Sequence, residues 1–405
     1  MQFSEVIGQK ETKHQLVQLY HQNRLSHALL FLGREGSGSL ALAMAFAQFL
    51  VCDKVHGKNG QPPTPSLFGE PEPEIAVVDL TLTDSCGTCP SCQKASKLIH
   101  PDIHYSYPVI PRKSGEKPIS TDYIAPWREF IKTMPYGNRY DWIQYIGAEN
   151  QQGNITANEC HDISRKMSLK SFEAPYKILI MWMPELLGNE GNRLLKLLEE
   201  PPPDTLFILV AENQNLILPT ILSRLQLIKI PQLTNRNIEA ALELRESVTM
   251  EKAEQIAAIS EGNYHEALHL LQHADDDWDQ WLRGWLNDII RANRDGQIKW
   301  IDEMAKTGRE KQKQFLRYFT HLLDMAIRVK ISGETGPAYA ENRSATEFAL
   351  RLNKQFDYGQ MDAIATELDN AAYYIERNAN AKILFHALTI KLNHIITNKS
   401  VILIP

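Results

Sequence analysis

The segment "HALLFLGREGSGSLALAMAFAQFLV", residues 27–51, governs how the rest of the chain is read. "HALLFL" (27–32) is an apolar run of strand length, "GREGSGS" (33–39) is a glycine-rich turn, and helix formers follow without a break. Strand, glycine turn, helix is the layout in which backbone N–H groups at a helix N-terminus cradle phosphate. The spacing follows G-x-x-x-x-G-K-[ST] through Gly33 and Gly38, with Gly36 between them. Ser39 stands where the lysine that faces the outer phosphates belongs, so the turn is kept and its charge is lost.

Working outward, "ETKHQLVQLYHQ" (11–22) has helical periodicity, and "YKILIMWM" (176–183) and "TLFILV" (205–210) are continuous apolar runs of the kind buried on both faces of a parallel sheet. "GNRLLKLLEEPPP" (191–203) reads as a helix stopped by three prolines, and "LQLIKI" (225–230) as another strand. This alternation predicts an α/β domain with a mostly parallel sheet. After "IPQLT" the pattern becomes helical: about 233–275 predicts a small all-helical domain, and 276–405 a second one. In the latter, Trp278, Trp281, Leu282, Trp285, Leu286, Ile289 and Ile290 recur at spacings of three and four, the stripe of a helix-bundle core. "GETGPAYAENRS" (333–344) reads as a loop between these helices.

Bulk properties limit the functions available. A chain of 405 residues holds two or three domains, and 43% hydrophobic with 23% charged residues is a globular composition. A formal charge of −6 argues against a protein that coats nucleic acid non-specifically. The longest uncharged stretch of the first half, residues 36–52, is too short and too rich in small residues to span a bilayer. The chain opens without a basic segment leading into an apolar core, so the expected compartment is the cytoplasm.

The cysteines carry a second signal. Cys86, Cys89 and Cys92 form "CGTCPSC", with Cys52 upstream at the end of the apolar helix and Cys160 far downstream in the helix-like "TANECHDIS". Overlapping C-x-x-C units in a reducing compartment point to thiolates converging on one tetrahedral ion, and zinc is the candidate, with Cys52 as the fourth ligand. Four thiolates leave no open coordination position, so the role is structural. A redox dithiol with a spare thiol is the competing reading. Between Cys52 and Cys86, "QPPTPSLFGEPEPE" (61–74) reads as a Pro-rich loop.

Residues 103–154 do not fit the alternating plan. Tyr105, Tyr107, Tyr123, Trp127, Phe130, Tyr136, Tyr140, Trp142 and Tyr145 are interleaved with Arg112, Lys113, Lys117, Arg128, Lys132 and Arg139. Basic plus aromatic is the composition of a single-strand stacking surface, but in an acidic chain the favoured reading is an insertion whose aromatics pack on one another or on the domain.

Taken together, "IGQ" (7–9), "SHALLFLG" (26–33), the cysteine cluster followed by "HPD" (100–102), "NRLLKLLEEPP" (192–202) and "LPTILSRLQ" (218–226) resemble the bacterial clamp-loader family of AAA+ proteins. The resemblance implies an AAA+ core over 1–232, with a zinc module at about 52–92, a helical lid over 233–275 and an oligomerising collar over 276–405. It also implies partners: ATPase subunits of the gamma/tau type, a delta-type subunit, the sliding clamp and primed DNA, with no membrane. Active members of the family carry lysine in the glycine turn, where Ser39 stands, and an Asp-Glu pair after the strand, where Trp182 and Met183 stand. They also carry a lid arginine, where "GNYHEAL" (262–268) places His265. Without these charges no ATP is expected to bind or turn over. The resemblance gives Arg224, with Ser223, the role of an arginine finger reaching a neighbour's nucleotide. Two other readings stay open: a working ATPase with displaced catalytic groups, and a zinc-containing nucleic-acid-binding module on an AAA+ scaffold.

Overall fold

Five strands, β1 (Ala28–Gly33), β2 (Ile103–Ser106), β3 (Lys177–Trp182), β4 (Thr205–Ala211) and β5 (Gln226–Ile230), form one sheet in the order β2-β3-β4-β1-β5. Every pairing is parallel, with Leu30 opposite Leu209 and Leu179 opposite Phe207 in the central register. The computed structural model describes residues 1–57, 83–111, 117–147, 153–272, 278–332, 343–377 and 379–398. The Pro-rich stretch 61–74, Arg112 and Lys113, and residues 333–342 of the expected loop lie outside the described residues.

The apolar runs become strands because both faces of the sheet are covered. All side chains of β3 and β4 are buried. One face packs Leu30, Leu179, Met181, Phe207 and Leu209 against Cys160, Ile163 and Met167 of the helix Ala157–Met167 and against Leu194 and Leu198. The other receives the helix Ser39–Val51, whose every residue is buried, with Phe31 stacked on Phe46. That helix has no polar face because residues beyond the sheet cover its far side: the helix Pro90–Ser96 of the cysteine module, and Phe3, which meets Phe46 and Phe49.

The strand β2 departs from the sequence reading, which placed 103–106 in the insertion. "IHYS" is too short and too polar to register as an apolar run, yet it pairs with β3 from Ile103↔Ile178 to Ser106↔Met181 at the sheet edge. The helix expected over 191–203 is also shorter: Pro184–Leu194 is 3₁₀, broken at Gly188 (φ 49°), and only Leu195–Glu199 is α-helical before the prolines.

The chain divides into two units, Met1–Arg245 with Gly262–Glu266, and Glu246–Glu261 with Ala267–Pro405. Within the second, the described helices include Trp278–Ile290, Arg294–Lys306, Arg309–Ser332, Tyr358–Glu376 and Ala381–Asn398. The tryptophan stripe is core here: Leu282, Trp285, Leu286 and Ile289 are buried with Trp300, Phe315, Phe319 and Phe385, while Ile290 is exposed. Trp285 stacks on Trp300 at 4.4 Å with the planes 4° apart, and its indole N–H donates to Thr389 Oγ1 at 3.1 Å. Trp285→Ala is expected to lower the stability of the full-length chain by about 3–5 kcal/mol in urea denaturation, a cavity cost with a lost hydrogen bond. A loss under about 1 kcal/mol would contradict this packing.

Candidate functional site

The carboxyl ends of β1, β3 and β4 meet at one edge of the sheet, where Gly33, Trp182 and Ala211 line a common cavity with the glycine turn. This is where parallel α/β sheets place ligands. Gly36 (φ +70°) and Gly38 (φ +86°) adopt left-handed backbone, which is why the turn needs glycine there. Ser37 and Ser39 are buried, and their hydroxyls lie 2.9 Å apart. The side chain at the lysine position therefore turns inward onto its own loop. Leu40 fills the next position, where the motif has a magnesium-binding hydroxyl. Leu40 is thus a further departure from the motif, beside Ser39, that is visible in the sequence itself.

The other wall of the cavity is the insertion. Pro135, Tyr136 and Gly137 face the glycine turn across a space of about 30 Å³. That is room for ordered water between the turn and its cover. The Tyr136 ring lies over Gly38, so that a Cβ there would sit 2.8 Å from it, and its hydroxyl accepts from the Ile7 N–H at 2.8 Å. Trp182, at the end of β3, meets Trp127 at 5.4 Å and Phe130 at 6.3 Å between ring centroids. Trp127 stacks on Tyr107 at 4.0 Å and meets Trp142 edge-on at 5.1 Å. Tyr107, Trp127, Phe130 and Trp142 are almost wholly buried, so the insertion packs its aromatics on itself and on the domain, as the favoured reading expected.

His265 lies in this same unit, beside the turn. Its Nε2 is 2.5 Å from Asp141 Oδ2, and its Nδ1 is 3.3 Å from Glu35 Oε1. Burial works against a charged imidazole, but hydrogen bonds and charge from Asp141 and Glu35 outweigh it and raise the pKa to about 10. The ring is imidazolium at neutral pH. Asp141 also caps the helix Arg139–Tyr145, accepting from the Asn138 N–H at 2.9 Å.

The four expected metal ligands come together. The Sγ atoms of Cys52, Cys86, Cys89 and Cys92 all lie within 4.8 Å of one another, with Cys86 and Cys92 3.9 Å apart. Four sulfurs about 2.3 Å from a tetrahedral centre stand roughly 3.8 Å apart, so the set fits such an ion. Backbone N–H groups stabilise thiolate character: Cys86 donates to Cys52 at 3.3 Å, Cys89 to Cys86 at 3.3 Å and Cys92 to Cys89 at 3.4 Å. A hydrogen bond from Cys92 lowers the Cys52 thiol to about 5, and the same pairing raises Cys92. Gly87 (φ +69°) makes the turn between Cys86 and Cys89. The module also ties down the start of the chain, because Asp84 accepts from the N–H groups of Phe3 and Ser4, each at 2.9 Å. Cys160 is buried elsewhere, in the sheet core.

Arg224 sits apart from both clusters, between the short helix Pro219–Leu222 and β5. Its guanidinium pairs with the exposed Glu199 and donates to Ser223 Oγ at 3.0 Å and to the Thr220 carbonyl.

The sequence model of the family described as "DNA polymerase III, delta subunit" matches residues 8–65 and 76–234, more than half of the chain. DNA polymerase III subunit delta' of Bacillus subtilis (strain 168) is 26% identical over 249 residues, covering 62% of this chain and 55% of that protein. DNA polymerase III subunit tau of the same organism is 25% identical over 278 residues, covering 67% of this chain and 37% of that protein. The chain thus spans about half the length, or less, of these relatives. The structure of a DNA polymerase III gamma subunit-related protein from Thermotoga maritima aligns over 94% of this chain and 99% of that one, at 13% identity and a TM-score of 0.38. On the span of the family match, the chain belongs to the DNA polymerase III delta subunit family, as a delta-prime-like member.

Proposed function

We propose that this chain is the ATPase-inactive, delta-prime-like subunit of a DNA polymerase III clamp loader. In this reading it is a rigid stator in the cytoplasm that supplies Arg224, supported by Ser223, to the ATP site of a neighbouring gamma/tau-type subunit. The other partners are a delta-type subunit, the sliding clamp and primed DNA. The AAA+ division into core 1–232, lid 233–275 and collar 276–405 belongs to the same proposal.

The observation that carries it is the occupied phosphate turn. Ser39 faces Ser37, Leu40 and Trp182 stand where magnesium chemistry needs oxygen ligands, and Tyr136 roofs the loop. A triphosphate would have to displace a packed aromatic wall and would meet no lysine and no magnesium ligand in return. With its own turn closed as a degenerate phosphate loop, the chain retains Arg224, partly exposed and held at the surface by Glu199, Ser223 and the Thr220 carbonyl. A planar, permanently charged guanidinium suits a phosphoryl group undergoing transfer next door. The nucleic-acid-module reading loses support, since stacking on bases needs open ring faces and those of Tyr107, Trp127, Phe130 and Trp142 are covered.

The Cys52, Cys86, Cys89 and Cys92 cluster is assigned zinc. When bound, the ion cross-links the end of the helix Ser39–Val51 to the 86–92 turn, and through Asp84 steadies the first residues. Purified chain is expected to carry one zinc by elemental analysis, and chelation or Cys92→Ser is expected to lower the melting temperature. Metal-free protein with an unchanged melting curve would remove the assignment.

The role of Arg224 is tested in the reconstituted complex. An arginine finger is worth roughly 10³–10⁵ in rate at the site it serves. Since other subunits serve the other sites, Arg224→Ala is expected to reduce total clamp- and DNA-stimulated ATPase only in part while impairing loading more. Arg224→Lys should rescue poorly, lacking the two-pronged geometry. Normal loading by Arg224→Ala in a fully assembled complex would leave a scaffold alone.

A further inference from the structure

Four links join the insertion and residues 262–266 to the glycine turn, two of them through Glu35. Tyr136 covers Gly38 and meets Tyr264 edge-on at 5.0 Å between centroids. The Tyr264 N–H donates to the Gly36 carbonyl at 3.2 Å, and Asn263 Nδ2 donates to Glu35 Oε1 at 3.3 Å. His265 is held between Asp141 of the insertion and Glu35 of the turn. The packing at Gly36 is tight enough that any Cβ there would collide with the Asn263 side chain.

We propose that the insertion is a built-in occupant of the pocket: Tyr136 covers the turn, Trp127 and Phe130 hold Trp182 of β3 as its wall, and the Asp141 carboxylate, with Glu35, does for His265 what the phosphates of a nucleotide would do for a cation at this position. The chemistry is matched. A cation beside a glycine turn needs a fixed anion, and here both anions are covalently part of the chain, so they do not dissociate. The contact of 262–266 with the turn is then permanent, and insensitive to nucleotide. A stator needs that property: the unit keeps one conformation while neighbouring sites change state. This goes beyond the ATPase-inactive reading, which requires only that the pocket fail to bind ATP.

The test is amide hydrogen exchange of full-length protein at residues 36–39 and 262–266, with and without millimolar Mg·ATP. The variants are Asp141→Asn, His265→Gln and the double substitution. In the wild type these amides should be slow to exchange and unaffected by ATP. Each single variant should speed their exchange by about 10- to 100-fold, the factor carried by one charge-assisted hydrogen bond. The double variant should add little to either single, because both remove the same link. Asp141 also caps a helix, so local unfolding of Asp141→Asn leaves His265→Gln, in which the Asn138–Asp141 cap is intact, as the deciding variant. Unchanged exchange in His265→Gln, or effects that multiply in the double variant, would overturn the occupant while leaving the chain ATP-free. Slowed exchange of the wild type with Mg·ATP would overturn the ATPase-inactive reading and the occupant together.

Discussion

The contact of Trp182 with Trp127 and Phe130 sets what the carboxyl edge of the sheet can be. An indole at the end of a buried central strand needs apolar cover, and magnesium phosphate needs oxygen ligands and water in the same place. The two demands exclude each other. Once Trp182 is there, the insertion that covers it also brings Tyr136 over Gly38 and Asp141 to His265, so a single choice at the end of β3 propagates across the pocket. The glycine turn survives because its left-handed residues make the tight link from β1 to the helix Ser39–Val51, a demand of packing independent of any ligand.

The cysteine module and the insertion sit on the same scaffold but use different physics. The module brings four cysteine sulfurs together in a short, loop-rich segment, and with the proposed zinc its order would come from metal ligation. The insertion has ample apolar area, with fully buried tryptophans, and orders itself by aromatic packing. Both lean on residues far away in sequence. Asp84 holds Phe3 and Ser4, and Tyr136 holds the Ile7 N–H, so the start of the chain is fixed twice.

Much of this was legible in the sequence where the signal is local. Continuous apolar runs marked β1, β3 and β4, because strands covered on both faces leave no polar positions. The C-x-x-C spacing marked three cysteines of the cluster, and the end of an apolar helix supplied the fourth, Cys52. "IHYS" was missed as a strand because an edge position tolerates His104 and Ser106. The missing lysine at Ser39, the missing carboxylate at Trp182 and the missing arginine at His265 were readable one by one, but not that His265 would be held as a cation by Asp141 and Glu35. Asp141 and His265 are separated by 124 residues, and Ile7 and Tyr136 by 129, with no periodicity or motif to pair them. Only the folded sheet edge brings them together.

If the chain's own residues occupy this pocket, no nucleotide enters it, and isothermal titration of Mg·ATP into the 405-residue chain decides the matter. No saturable heat is expected at ATP concentrations up to the millimolar range, with folded protein as the control. Saturable binding at micromolar affinity, about −8 kcal/mol, would require the Tyr136 roof to open for a ligand and would show that the pocket is not occupied by the chain itself.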